Sequence, residues 1–232
     1  MRTYNKYLMV FFTAIICLNG ASYAQTASEI ADFTKAAKFD DISEVKSLVA
    51  KGISPNTLDP KGNPMLIVAI NDKSYKVIDF LLSNNTIDVD LQNKNGETPL
   101  MIASINGDLE VVKTLILQKK ANINPVGWTP LHYAATRGNL AVAQFLIANG
   151  AVVNALSPSH TTPLMMAVQS GNEVLVKLLL DNGADLKIRN TAGFSAIDVA
   201  DLFDKTDIKI GLMSRWQKLY KEPYPGGPKS SK

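Results

Sequence analysis

A capped proline returns along this 232-residue chain at a nearly constant interval. Pro64, Pro99, Pro130 and Pro163 each follow a residue able to cap a helix, namely Asn63, Thr98, Thr129 and Thr162, and Ser195-Ala196 takes the same place in a last copy. The steps are 35, 31, 33 and 33 residues. A hydroxyl at the cap accepts from a free N–H of the first turn, and proline suits the next position, where its missing N–H costs nothing. The copy from Gly127 to Asn154 displays the plan. Thr129-Pro130 opens a short helix, and Gly138 can take the left-handed conformation that ends one. A second helix, Asn139 to Ala148, puts Val142, Phe145 and Leu146 on one face, and Gly150 closes it. Such a pair has an apolar face it cannot bury alone, so every copy needs neighbours.

The period near 33, the Thr-Pro-Leu helix start, the two loop glycines and the closing Gly150-Ala151…Asn154 phrase together resemble the ankyrin repeat. The resemblance covers roughly Ser28 to Tyr220, with five clear copies and a degenerate first one. It implies an all-α solenoid of helix-turn-helix units with β-hairpin loops, and a role in binding partner proteins. The fifth copy, Thr161 to Asn190, lies nearest the family pattern. In the first, Asp32 stands where the repeat proline belongs and Asp40-Asp41 replaces the Gly-Asp helix junction, as suits a cap with one face in water. The second is long, read here as one extra residue near Asp72-Lys73 and one near Ile87. The third runs short: Asn124 to Pro130 is six residues, whereas Asn154 to Pro163 is nine. A finger about three residues short leaves a notch beside Trp128.

Three regions follow. Residues 1–24 read as a secretory signal: Arg2 and Lys6, an apolar run from Leu8 to Leu18, then Ser22-Tyr23-Ala24 before the cleavage point. The run is too short for a spanning helix. Residues 25–220 form the repeat domain. Residues 221–232, rich in Pro, Gly, Ser and Lys, read as a disordered tail. The one cysteine, Cys17, leaves with the leader, which suits a bacterial periplasm; an extracellular destination is the alternative. The chain carries 24 basic and 21 acidic residues, and the leader holds two of the basic ones, so the mature chain is close to neutral. With no basic stripe, a nucleic-acid partner is not expected.

Little here carries chemistry. His132 closes the Thr-Pro-Leu-His phrase, where the resemblance implies a loop-fixing hydrogen bond; its counterparts read as Leu66, Met101, Met165 and Asp198. His160 reads as a solvated loop residue. No triad, metal or phosphate-loop spacing recurs, so neither an enzyme nor a cofactor is expected. The function expected is a monomeric, non-enzymatic scaffold that binds another protein. An inhibitor or immunity protein against an exported toxin or enzyme, or a secreted effector, is the alternative. By repeat alignment the binding face comprises the helix-end positions Ile70, Asn71, Ile105, Asn106, Thr136, Arg137, Gln169 and Ser170, with Lys94, Glu97 and Trp128 at the finger tips. Trp128, Arg137 and Ile105 are the expected anchors, since Trp and Arg are enriched among interface hot spots.

Overall fold

A computed structural model describes residues 25–227; the expected signal at residues 1–24 lies outside the described residues, as do residues 228–232. Twelve helices follow in order: α1 (Ala27–Lys38), α2 (Ile42–Ala50), α3 (Met65–Asn71), α4 (Tyr75–Ser83), α5 (Pro99–Asn106), α6 (Leu109–Lys113), α7 (Pro130–Thr136), α8 (Leu140–Ala148), α9 (Pro163–Ser170), α10 (Glu173–Asp181), α11 (Ala196–Leu202) and α12 (Thr206–Tyr220). The odd-numbered helices form one row, each touching the next. The even-numbered helices back them, and each pair contributes to one continuous apolar core running from Phe33 to Trp216. Leu100, Leu131, Leu164 and Ile197, at one position of successive helices, are fully buried between the rows. At roughly 2 kcal/mol for each such side chain, stacking rather than intrinsic helicity holds these seven- or eight-residue helices.

Each pair turns at a residue in the left-handed region: Asp40, Lys73, Gly107, Gly138, Gly171 and Asp204. In the middle repeats glycine is required twice over. A Cβ on Gly107 would lie 3.0 Å from the Asn139 side chain, and one on Gly138 3.1 Å from that of Asn172. Those asparagines crowd the turn because they tie the stack together. Asn139 Nδ2 donates to the carbonyls of Ser104 and Ile105, and Asn172 Nδ2 to that of Gly138. A second ladder runs along the loops. Asn124 and Asn154 each donate to the carbonyl of the glycine that closes the next repeat, Gly150 and Gly183, and accept from Val152 N–H and Asp185 N–H. The terminal asparagine of the repeat phrase is thus an inter-repeat clamp.

The turn residues correct the alignment of the second repeat. Lys73 is the left-handed residue and α3 begins at Met65, so Pro64 occupies the cap position rather than the first helical one. There is no extra residue at Asp72-Lys73. The change has a chemical consequence. In the third, fourth and sixth repeats the cap N–H is satisfied by the side chain three residues on: Thr98 N–H by Met101 Sδ, Thr129 N–H by His132 Nδ1, and Ser195 N–H by Asp198 Oδ2. Pro64 has no N–H to satisfy. The residue three on, Ile67 rather than Leu66, is accordingly apolar and buried.

The third repeat absorbs an extra residue where none was anticipated. A finger three residues short would give a step of 30, yet the step is 31. The balance is a π-helical turn, Thr114–Gln118, continuing α6. Lys119 N–H reaches back five residues to Thr114 O at 3.2 Å, and Lys120 leaves in the left-handed conformation. The fingers also differ from the hairpins implied by the resemblance. The described residues contain no strand, only one antiparallel bridge, Leu58 to Pro64. Four fingers are tight five-residue turns, each closed by two backbone bonds. The first residue's N–H donates to the fifth's carbonyl, Asp59 to Asn63, Asn93 to Glu97, Ser157 to Thr161 and Asn190 to Phe194, and the fourth residue, Gly62, Gly96, His160 or Gly193, donates back to the first. The first residue of each turns its side chain inward to accept backbone N–H groups, as in Asp59 Oδ1 from Lys61 and Asn63. A five-residue turn so held is too short to pair as a ladder.

His132 is fully buried, and both ring nitrogens are engaged. Nδ1 accepts from Thr129 N–H at 3.2 Å, which leaves Nε2–H to donate to Thr161 O at 2.9 Å in the next finger. Burial drives its pKa down to about 4, against the partial support of that carbonyl. The folded state therefore keeps His132 neutral where the unfolded chain takes up a proton. Stability is full above pH about 6.5 and falls as pH drops towards 4, by about 3 kcal/mol for a shift of this size. Replacing His132 by Met, the residue at positions 101 and 165, should remove this component. The check is the difference in urea-unfolding free energy between the H132M variant and the parent: it should change by about 3 kcal/mol between pH 7 and pH 4 in favour of the variant.

Candidate functional site

The face expected to bind is built from residues two and one before each left-handed turn, together with the finger tips. Asn71, Ile105, Thr136 and Gln169 occupy the first of those positions in successive stacked helices. Ile70 does not belong with them. It aligns with the buried Ser104, Ala135 and Val168 and is itself buried, so it is a core residue. The one-residue slip at Pro64 produced that misplacement, and Asp72, not Asn71, is the true counterpart of Asn106.

Of the remaining residues, several are committed within the fold. Thr136 Oγ1 donates to His132 O at 2.8 Å, Ser170 Oγ to Ala167 O at 2.7 Å, and Asn106 Nδ2 to Ile70 O at 3.4 Å. Glu97 is half-buried; its carboxylate accepts from Asn93 Nδ2 at 2.8 Å and from the Tyr133 hydroxyl at 3.1 Å. Burial, then the charge and hydrogen bond of Glu97, raise the Tyr133 phenol above its ordinary range. Glu97 is thereby a strut between a finger and the next helix. Ile105 is half-buried, while Asn71, Lys94, Arg137 and Gln169 stand in solvent. No ion pair engages Lys94 or Arg137 among the described residues.

Trp128 is 37% exposed, and its ring meets His132 edge-on at 5.2 Å. It is therefore partly spent on packing against its own repeat. The notch itself is present. A cleft of about 200 Å³ opens where the third finger is short, lined by Asn124, Pro125, Val126, Gly127, Thr129, Val152, Ala155 and Leu156. Trp128 is not among the lining residues. Three apolar side chains, Val126, Val152 and Leu156, stand exposed on its walls, Val126 completely so. The cause is local: without the inward-turned side chain that folds the other four tips, residues 125–128 do not cover the root of the following finger. Sequence reasoning missed these three residues. The signal was there in Val126, Val152 and Leu156 themselves, large apolar residues in loop segments beside Pro125, Asn154 and Ser157, but Ile123 and Val153 in the same segments pack on the core, so residue type alone did not single them out.

The family model for ankyrin repeats matches residues 33–126 and 117–190. The chain belongs to the ankyrin-repeat family. Such repeats form protein-interaction scaffolds and are typically non-catalytic modules. The ankyrin repeat protein YahD of Escherichia coli is 30% identical over 122 residues, covering 51% of this chain and 60% of that relative. The B-cell lymphoma 3 protein homolog of Mus musculus is 34% identical over 118 residues, 48% of this chain and 26% of the relative. Palmitoyltransferase AKR1 of Lachancea kluyveri is 31% identical over 122 residues, half of this chain but 16% of the relative. The chain thus spans less than two thirds of the length of each of these relatives. Among the described residues of this ankyrin-repeat protein, no group of three or more His, Cys, Asp or Glu is placed to hold a metal ion, and no helix is long and apolar enough to cross a membrane.

If Glu97 is a strut, its loss is felt in stability. Glu97→Ala leaves the Tyr133 hydroxyl without its partner and the Asn93 amide with only its longer bond to Asn63 Oδ1 at 3.3 Å, and should cost about 1–3 kcal/mol. Tyr133→Phe, which removes one partner only, should cost less. Lys94→Ala, at an exposed tip, should stay within about 0.5 kcal/mol of the parent. Chemical denaturation of the three variants gives the order.

Proposed function

We propose that this chain is an exported, non-enzymatic scaffold of the bacterial periplasm that holds a partner protein along its fingers and exposed helix ends. The notch is the anchor of that surface. The observation that carries the reading is the set of three solvent-exposed apolar side chains, Val126, Val152 and Leu156, around a cleft set in tightly clamped loops. Asn124 and its bonds to Gly150 and Val152 fix one finger root against the next, so the cleft is preformed and binding into it orders little backbone. Arg137, Lys94, Asn71 and Gln169 provide a polar rim on the same repeat architecture. Export is supported by the order of charge, apolar run and small residues in positions 1–24.

Two experiments test this. The first is affinity capture from periplasmic extract with the parent protein and with a Val126→Asp, Leu156→Asp variant of unchanged far-UV circular dichroism. A specific partner retained by the parent should bind the variant at least about tenfold more weakly, since a charge replaces each apolar anchor. Equal retention would remove the notch from the interface. The second is cell fractionation with N-terminal sequencing. The mature chain should begin at Gln25 in the periplasmic fraction; an intact leader in the cytoplasm would overturn the placement.

A further inference from the structure

The segment after α12 was expected to be a disordered tail, but residues 222–227 lie across the end of the stack. Tyr224 is half-buried and meets the Trp216 ring edge-on at 5.0 Å. Its hydroxyl sits 2.6 Å from Ser195 Oγ and is bonded to Asp198 Oδ2. The directions of these bonds are determined by their neighbours. Ser195 Oγ already accepts from Ile197 N–H and Asp198 N–H, so its proton goes to Tyr224, and the Tyr224 proton goes to the carboxylate. Arg189 closes the ring: Nη1 donates to Asp198 Oδ2 at 3.0 Å and to Gly193 O, and Nη2 to Gly226 O at 2.8 Å. Gly227 passes so near that a Cβ there would fall 2.5 Å from the Asp198 carboxyl.

One inner repeat shows what this arrangement replaces. In the fourth repeat, His132 takes the cap N–H on one side and donates on the other to Thr161 O, supplied by the finger that follows. Asp198 occupies the equivalent place in the sixth repeat and takes the cap N–H of Ser195 at 2.8 Å. No finger follows it in the described fold. We propose that residues 222–227 are a built-in stand-in for that missing finger, with the Tyr224 hydroxyl replacing the next repeat's carbonyl, and that they hold the last repeat folded. The exchange of polarity is chemically consistent. A histidine has a proton to give and meets an acceptor, whereas a carboxylate has none and meets a donor. Burial, then the bond to Asp198, raises the Tyr224 phenol above its ordinary range, so it keeps that proton at neutral pH. Gly227 belongs to the same device, since any larger residue would push the strap off the carboxylate.

The test is amide hydrogen exchange on the full chain with three variants. Tyr224→Ala removes the contact, Gly227→Val displaces the strap while leaving Tyr224 and Trp216 intact, and Tyr224→Phe deletes the hydroxyl alone. In the first two, exchange of the α11 amides should speed by about tenfold or more, with α5 and α7 unchanged, because a solenoid passes a local loss mainly to its neighbours. Tyr224→Phe should give a smaller effect centred on Ile197 and Asp198. Unchanged α11 protection in both Tyr224→Ala and Gly227→Val would overturn the proposal. So would an equal loss in α5 and α7, which would make the strap a contributor to global stability and not a cap on one repeat.

Discussion

No helix pair in this protein can bury its apolar face unaided. The odd-numbered helices are mostly seven or eight residues long, below the length at which a helix is stable in water. Their inward positions are nevertheless almost wholly apolar: Met65 to Ile70 in α3 are all buried, as are Leu100 to Ala103 in α5. The free energy of folding therefore resides between repeats as much as within them. Everything else in the structure serves to keep successive pairs in register. The asparagine bridges at the helix turns, the asparagine clamps along the loops and the His132–Thr161 bond all cross from one repeat to the next. At the two ends, where a neighbour is missing, the chain changes character. Helix α1 extends back past Asp32 to a Thr26–Glu29 capping box, since no proline stops it there, and the far end is closed by α12 and the strap. The Asn154 position of the repeat becomes Lys187 in the fifth copy, with its ammonium 4.1 Å from the Tyr220 ring of that closing helix.

The cap and the residue three places on behave as one unit. Threonine at the cap is followed by a side chain that can accept, Met101 or His132, and serine by Asp198; proline at the cap, with no N–H, is followed by Ile67. A buried donor left unmet costs more than a bond returns, which is reason enough for the two positions to vary together within one chain. It also explains why a histidine can sit in the middle of a core without chemistry to perform. Both nitrogens are used, and the surroundings keep it neutral.

Most of the architecture was legible in the sequence because the repeat supplies many independent readings of one pattern. The period, the caps at Thr98, Thr129 and Thr162, the turn glycines and the short third finger could all be read directly. Failures occurred where one copy departed from the others. Pro64 was matched with the other prolines by identity, which moved α3 by one residue and placed Ile70 on the surface; only the left-handed Lys73 reveals the true register. The π turn at Thr114–Gln118 was hidden because an inserted residue and a short loop partly cancel in the length of the step. The strap was read from composition, and composition cannot show that Tyr224 has Ser195, Asp198 and Arg189 waiting for it. At the surface, sequence pointed to Trp128 by residue type, whereas the cleft walls are Val126, Val152 and Leu156. Which apolar residues a missing loop uncovers is a question of packing, not of type.

The same departure that opens the notch sets this surface apart from an even row of fingers. A regular stack offers a repeating edge, while a short finger gives one place where shape and apolar character coincide. That feature depends on the neighbouring repeats being rigidly clamped, and so on the stacking itself. The most direct measurement of this dependence is the thermal circular dichroism of the isolated pair, residues 127–154, beside that of the intact chain. The pair alone should show coil-like ellipticity and no cooperative transition, while the intact chain melts as a folded protein. A cooperative helical melt from the isolated pair would contradict the view that the repeats fold only on one another.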